Sequence, residues 1–588
     1  MTHKLGQSKD VSEKTFDFIV TAGLCVANRL SEASHVSVLV LEAGRAHIND
    51  DAILNPIGWV KQFLNDEYDW KFPTVPQPTL DNASLIWSRG KGLGGSSAMN
   101  LLIWTRPQRQ DIDAVEKVGN PGWNWENFYK FSKKSERFSP PVNPSSRGYQ
   151  DLYNANSVGL EGISMSFIIS EAANDPQVLS QSLSPDLTPG LNFHSRRITL
   201  GTYKAVSDIN AETGARSYSG AAYLLPALDR PNLTVVSEAS VTRVITEQQG
   251  NELVATGVEF SHGETIYKVY AAKDVILSAG TIKSPQILEL SGIGDRAILQ
   301  PLGIPVRKHL PTVGANLQDH LICTGMSFDM REDANIVTSD LILDPKHESR
   351  LRAEFPDVKG PLSVCLTGVT FLPLQTFSTR SQEIIEKMAT RIARDAAKYP
   401  PGLKEQYEVQ MQILKDSQVP DIEIVVFPAS PEIFSDKSQD DSNKPFMLLM
   451  PSIGHPFSRG TIHIKSADPK EPPVIDPHYF EEDVDFDILV DGWKFTREVA
   501  ATGPFKDITV AESIPGPSVQ TDEEIKAHIK KNLSTTWHAC GSVSMLPQDK
   551  GGVVDTHLKV YGTKNLRVID LSILPLLVAV HTQGECIT

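Results

Sequence analysis

Residues 16–32, FDFIVTAGLCVANRLSE, press an apolar run against an amphipathic stretch with almost nothing between them. Phe16–Val20 and Val36–Leu41 are short, apolar and rich in β-branched residues, and Leu24–Leu30 between them repeats its apolar side chains at helical spacing. This pattern predicts strand, helix, strand. Glu42 ends the second strand about 20 residues beyond Gly23, the separation at which an acidic side chain reaches the ribose hydroxyls of a dinucleotide in such a unit. A unit of this kind normally turns through a G-x-G-x-x-G loop. Here only Thr21, Ala22 and Gly23 join the elements, and Gly23 alone stands for the last glycine of the fingerprint.

Elsewhere Leu233–Val236, Val241–Ile245 and Lys273–Leu277 read as strands, and 458–466 alternates as a half-buried strand does. Ile384, Ile385, Met388 and Ile392 recur on one face of a helix that Pro400 and Pro401 bring to an end, a core-packing pattern. Helix and strand alternate at both ends of the chain around a strand-rich middle. The expected class is therefore α/β: a Rossmann-like nucleotide-binding domain assembled from discontinuous segments (15–114, 231–330 and 535–588), after a polar leader (1–14). An α+β substrate domain with an antiparallel sheet (115–230 and 331–534) completes it.

With 588 residues the chain can bury large cores without disulfide staples. Its net charge of -16 disfavours nucleic acid or an anionic membrane as partner. Five scattered cysteines with no CxxC pair suit a reducing compartment, and neither they nor the histidines sit at metal-ligand spacing, so no metal is expected. The polar start MTHKLGQSKDVSEKTFDF lacks a signal-peptide core, and Leu571–Val580 is too short to span a bilayer; the expectation is an intracellular, cytoplasmic protein. A hydrolase elbow is set aside because GGSSA lacks its second flanking glycine.

Two glycine- and serine-rich stretches carry the chemistry. RGKGLGGSSAMN (89–100) is followed by Trp104, Pro107 and Asp113, and GTIKSPQILELSGIG spans 280–294. Glycines let a backbone approach a flat ring or a phosphate, and serines can bond an anion. Together the two stretches resemble the two signatures of the glucose-methanol-choline (GMC) family of flavin oxidoreductases. Further blocks extend the likeness over nearly the whole chain: LVLEAG (39–44), TVGANLQDH (312–320), SRGTIHI, PPVIDPHYF (472–480), WHACGS (537–542), NLRVIDLSILP (565–575) and VHTQG (580–584).

The resemblance implies FAD as cofactor and oxidation of a small-molecule alcohol to a carbonyl by hydride transfer to the flavin. Oxygen or a quinone-like carrier would then reoxidise it. It assigns Glu42 to the adenosine ribose, Val241 to the adenine through its backbone and Gly23 to the pyrophosphate turn. Gly94, Gly95, Ser96 and Asn100 fall to the isoalloxazine and pyrophosphate region, Asp570 to the ribityl or pyrophosphate end, and Gln583 to the flavin as well. His538 becomes the base, and His581 the second group on the substrate oxygen. Neutral imidazoles suit that task, since a base with pKa near 6.5 can take a hydroxyl proton at neutral pH. Members that bond the flavin covalently use a histidine just before the signature asparagine; Met99 stands there, so non-covalent FAD is expected.

The chain departs from the family pattern at the glycine turn and after VHTQG, where it stops at GECIT. With so short a turn, the first helical turn should unwind or the strand shorten, withdrawing amide donors from the phosphate and weakening flavin binding unless Val20 to Ala22 remodel into a substitute loop. A splice form or faulty gene model would produce the same two shortenings. The competing readings are a redox-silent relative, a lyase, cyclase or binding protein on the same scaffold, and a nicotinamide-dependent dehydrogenase, for which the GGSSAMN and SGIG stretches have no use. A role in secondary-metabolite biosynthesis is an analogy from the intracellular expectation.

Overall fold

A computed structural model describes residues 5–139, 163–166, 200–204, 206–334, 368–430 and 445–584, with 338, 349, 350 and 353 besides. Among the described residues two large sheets organise the chain. The first contains β1 (Thr15–Thr21), β2 (Val38–Leu41), β3 (Leu233–Val236), β4 (Ser240–Gln249), β5 (Glu252–His262), β6 (Thr265–Leu277) and the short strand Leu566–Val568. Strands β3, β2, β1, β6 and Leu566–Val568 lie side by side in that order, all parallel, with Val20 level with Val40 on one side and Ile276 on the other. Every residue of β2 is buried, as expected of a parallel strand covered on both faces. β4 and β5 form an antiparallel meander on the first half of β6.

Helix α1 (Leu24–Ser31) buries Leu24, Ala27, Asn28 and Ser31, the i, i+3, i+4, i+7 stripe, against this sheet. It follows β1 through Ala22 and Gly23 alone. The expected unwinding or strand shortening does not occur: β1 runs through Thr21 and the helix is regular from Leu24. Ala22 makes the reversal in the left-handed region at φ 61°, with its amide bonded to Leu41 O. That conformation costs a residue with a Cβ about 1–2 kcal/mol. Gly23 must lack a side chain, because a Cβ there would stand 2.6 Å from Ser278 Oγ.

Helix α2 (Gly280–Leu290) follows β6 and is buried from Thr281 to Glu289 apart from Lys283. Pro285 inside it cannot donate to the carbonyl of Thr281. Ser542 donates its hydroxyl to that oxygen instead, at 2.6 Å.

The second sheet is antiparallel, in the order Thr509–Ile514, Ser327–Met330, Phe446–Ile453, Ile422–Phe427, Gly368–Leu372, Gly201–Lys204; Leu321–Cys323 pairs with the end of Phe446–Ile453 and in turn with Leu533–Thr535. Alternation sorts its central strands. Ile422, Ile424 and Val426 pack on the helices Ser381–Asp395 and Val484–Ala500, whose Ile384, Ile385, Met388 and Ile392 are buried as their spacing predicts. Glu423, Val425 and Phe427 point the other way, where Val425 and Phe427 pack with Ile103, Ile322 and Val578. The alternating stretch 458–466 supplies only a three-residue strand, Thr461–His463, paired with Val474–Asp476.

Candidate active site

A cavity of about 1080 Å³ lies between the carboxyl ends of the parallel strands and the second sheet. All eleven residues singled out from the sequence line it: Gly23, Glu42, Gly94, Gly95, Ser96, Asn100, Val241, His538, Asp570, His581 and Gln583. The crevice outside the carboxyl ends of a parallel sheet, where the strand order reverses, is where such folds hold ligands.

Glu42, at the end of β2, is buried, and its carboxylate accepts the amide of Gly44 at 2.9 Å. Burial pushes its pKa up to about 7. Asp570 is held beneath the cavity by Gly280 N–H at 3.0 Å, Ser284 Oγ–H at 2.5 Å and Ser572 N–H at 2.8 Å. At the glycine stretch, Gly95 has φ 51° and a Cβ built on it would meet nothing within 4 Å, so bare backbone faces the open space. Asn100 behind it donates to Gln583 Oε1 and accepts from Arg216 Nη1 at 2.6 Å, while the buried Asp208 lies beside Arg216 and Gln583.

The far end is organised by two antiparallel segments. Leu321–Cys323 pairs with Leu533–Thr535, and the pairing continues as Thr536 N–H donates to His320 O. His320 therefore stands against His538, with Nδ1 2.9 Å from Nδ1 and the rings edge to face at 5.1 Å. His320 Nε2–H donates to two backbone carbonyls, Gly454 O at 2.9 Å and Val578 O at 2.8 Å. Burial, with His455 and His581 nearby, pushes its pKa down to about 3, so the ring is neutral and its Nδ1 can only accept. The proton between the two rings thus belongs to His538 Nδ1, which also lies 2.9 Å from Thr536 Oγ1. His538 Nε2 is left as a lone pair without a protein partner among the described residues. Burial first, then the neighbouring His581, His320 and Arg89, holds His538 well below the usual imidazole range. Its amide is fixed by Asp319 Oδ1 at 3.0 Å, and Asp319 in turn accepts Thr535 and Tyr479 hydroxyls.

His581 completes the group, its ring centroid 5.0 Å from that of His538. Thr105, just after the strand Ile103–Trp104, brackets the residue: its hydroxyl accepts His581 N–H at 3.0 Å and donates to His581 O at 3.2 Å. His581 Nε2 stands 2.8 Å from the buried Glu423 Oε1. Glu423 and the orienting role of His320 escaped the reading of the sequence. The signal for Glu423 was present: one carboxylate inside the otherwise apolar strand IEIVVF, a residue type rarely buried without a partner. His320 stood in the quoted block at 312–320 with nothing to show which ring it would meet.

The GMC oxidoreductase profile matches residues 16–322 with its N-terminal part and 456–588 with its C-terminal part. The chain belongs to the GMC oxidoreductase family. GMC oxidoreductase family protein Mala s 12 of Malassezia sympodialis is 34% identical over 599 residues, covering 98% of this chain and 92% of that protein. Patulin synthase of Aspergillus clavatus is 30% identical over 606 residues, with 99% and 91% covered. Among solved structures, an FAD-dependent oxidoreductase from Chaetomium thermophilum superposes with a TM-score of 0.85 at 26% identity and 97% coverage of both chains. The chain is thus a GMC oxidoreductase of the FAD-dependent class that acts on CH–OH groups. The lining fits a flavin dinucleotide: acceptors at Glu42 and Asp570, bare backbone at Gly95, and two imidazoles in a cavity of about 1080 Å³.

Proposed function

We propose that this GMC oxidoreductase oxidises a small organic alcohol to its carbonyl, with His538 as the base and His581 as the second group on the substrate oxygen. The observation that carries the reading is the meeting of the two rings at 5.0 Å, with the hydrogen-bond network leaving the Nε2 lone pair of His538 for the substrate. Glu42 would hold the adenosine ribose, β4 at Val241 the adenine, Gly23 and Gly94–Ser96 the pyrophosphate, and Asn100, Gln583 and Asp570 the flavin end. Bound in this way, without a covalent link because Met99 offers no ring nitrogen, FAD supplies the two-electron acceptor.

The side chains do the rest. A hydroxyl lying between the imidazoles gives its proton to His538 Nε2, while Nδ1–H stays donated toward His320 and Thr536. Glu423 accepts Nε2–H of His581 and so fixes the orientation of that ring beside His538. The buried walls around the rings, among them Ile322, Val425 and Met450, exclude water from the proton transfer. The acceptor that restores the flavin is oxygen or a quinone-like carrier, and the biosynthesis of a secondary metabolite is the proposed setting, supported by likeness to an enzyme named for its product, patulin synthase. The division into 15–114, 231–330 and 535–588 against 115–230 and 331–534 belongs to the same proposal.

Protein supplemented with FAD and mixed anaerobically with a panel of alcohols tests the reading. Bleaching of the flavin band by one class of alcohol, abolished in His538→Ala, is expected. A flavin silent towards every alcohol would favour the redox-silent alternative and overturn it.

A further inference from the structure

Outside the cavity the structure buries a charged cluster that the steps above do not use. Asp111, on the helix Arg109–Lys117, is 2% exposed and spans two segments of chain. Its Oδ1 lies 3.0 Å from His455 Nε2, and its Oδ2 accepts Ala579 N–H at 3.1 Å. Asp421 approaches His455 from the other side, with Oδ1 3.9 Å from Nδ1, while its backbone oxygen accepts Gly454 N–H at 2.8 Å. The two residues tied by Asp111, His455 and Ala579, directly follow Gly454 and Val578. Those are the two residues whose carbonyls receive the Nε2 proton of His320.

We infer that Asp111 is a positioning residue for the alcohol oxidation: by clamping the 454–455 and 578–579 peptides it holds both acceptors of His320, and thereby decides which nitrogen of His538 carries the proton. The chain of contacts is unbroken, from the Asp111 carboxylate to the two peptides, from their carbonyls to His320 Nε2–H, and from His320 Nδ1 to His538 Nδ1–H. If either carbonyl swings away, His320 can place its proton on Nδ1, and His538 must then accept there and offer the substrate a filled Nε2–H. A base with the proton on its working nitrogen is no base. A histidine oriented by a carboxylate two bonds removed follows the general logic of ring nitrogens set by their outer partners. The inference rests on His538 being the base.

The test uses the full-length protein loaded with FAD, as Asp111→Asn, His455→Gln, His320→Gln and the double variant Asp111→Asn/His320→Gln. Asp111→Asn is expected to lower kcat per bound flavin by about ten- to a hundred-fold, the range for losing an outer partner of a functional histidine, with KM unchanged. In the His320→Gln background the same substitution should cost nothing further, because the relay is already cut. Retained kcat in Asp111→Asn, or a loss that multiplies with that of His320→Gln, overturns the inference. Should Asp111→Asn fail to fold, His455→Gln opens the same clamp from its other side and is judged by the same two results. A second readout needs no turnover: with ¹⁵N-labelled histidine, His538 should show a protonated Nδ1 and a bare Nε2 in the parent protein and a mixture in Asp111→Asn. An unchanged His538 signal in the variant defeats the inference even if no alcohol is ever oxidised, whereas the expected mixture in an inactive protein would leave it standing and count against the oxidation alone.

Discussion

The turn of two residues between β1 and α1 leads to a definite expectation for flavin affinity. The helix keeps its phosphate-facing end: among the described residues the amides of Gly23, Leu24 and Val26 make no backbone hydrogen bond, as for the orphan donors of any helix start. What is missing is the loop that a G-x-G-x-x-G turn would drape over the pyrophosphate. Ala22 cannot substitute for it, since its amide is spent on Leu41 O. Two charge-assisted N–H to phosphate bonds lost, at about 1.5–3 kcal/mol each, come to about 3–6 kcal/mol, or roughly two to four decades in Kd. The assay is titration of the flavin-free protein with FAD, followed by quenching of flavin fluorescence. It compares the parent chain with a variant in which a G-x-G-x-x-G loop is inserted after Thr21. Tightening by two decades or more in the loop variant is expected. A parent protein that leaves purification with a full, stoichiometric flavin band would refute the reasoning, because it would show that α1 and the glycine-serine stretch suffice.

Three further outcomes follow from the same geometry. Ala22→Gly removes the left-handed penalty at φ 61° and should stabilise the fold by about 0.5–1 kcal/mol, after allowance for the freer unfolded chain; urea midpoints would show it, and a destabilised variant would refute it. Glu42 has a folded-state pKa raised to about 7, so its contribution is intact below about 4.5 and is lost as pH rises through about 7. The flavin-free protein should thus lose about 3 kcal/mol between those limits, and Glu42→Gln should flatten that part of the stability curve measured by denaturant. Glu423→Gln keeps the size of the His581 partner but removes its charge, and should lower kcat by about tenfold, the worth of one hydrogen bond to a charged group, with flavin content unchanged.

What the sequence revealed and what it hid divide along a physical line. Strands β1, β2 and β3, helix α1 and the core face of Ser381–Asp395 were legible because their periodicity is local, and the cavity lining because glycine, serine and acidic residues at fixed spacing mark close backbone approach and ribose contact. The failed expectation was also local: a short turn was taken to demand unwinding, when one residue at positive φ achieves the reversal. Nothing local, by contrast, could pair His320 with His538 across 218 positions, Glu423 with His581 across 158, or Asp111 with His455 across 344. Each of these contacts depends on which face of a strand or helix meets which segment after both sheets have closed on the cavity. Glu423 faces His581 only because Val425 and Phe427 share its side of the strand and are buried there. Slipping that strand by one residue would turn Glu423 into the helical layer and leave His581 with no carboxylate, so the register of the second sheet, set by apolar alternation far from the chemistry, is what places the charge beside the second imidazole.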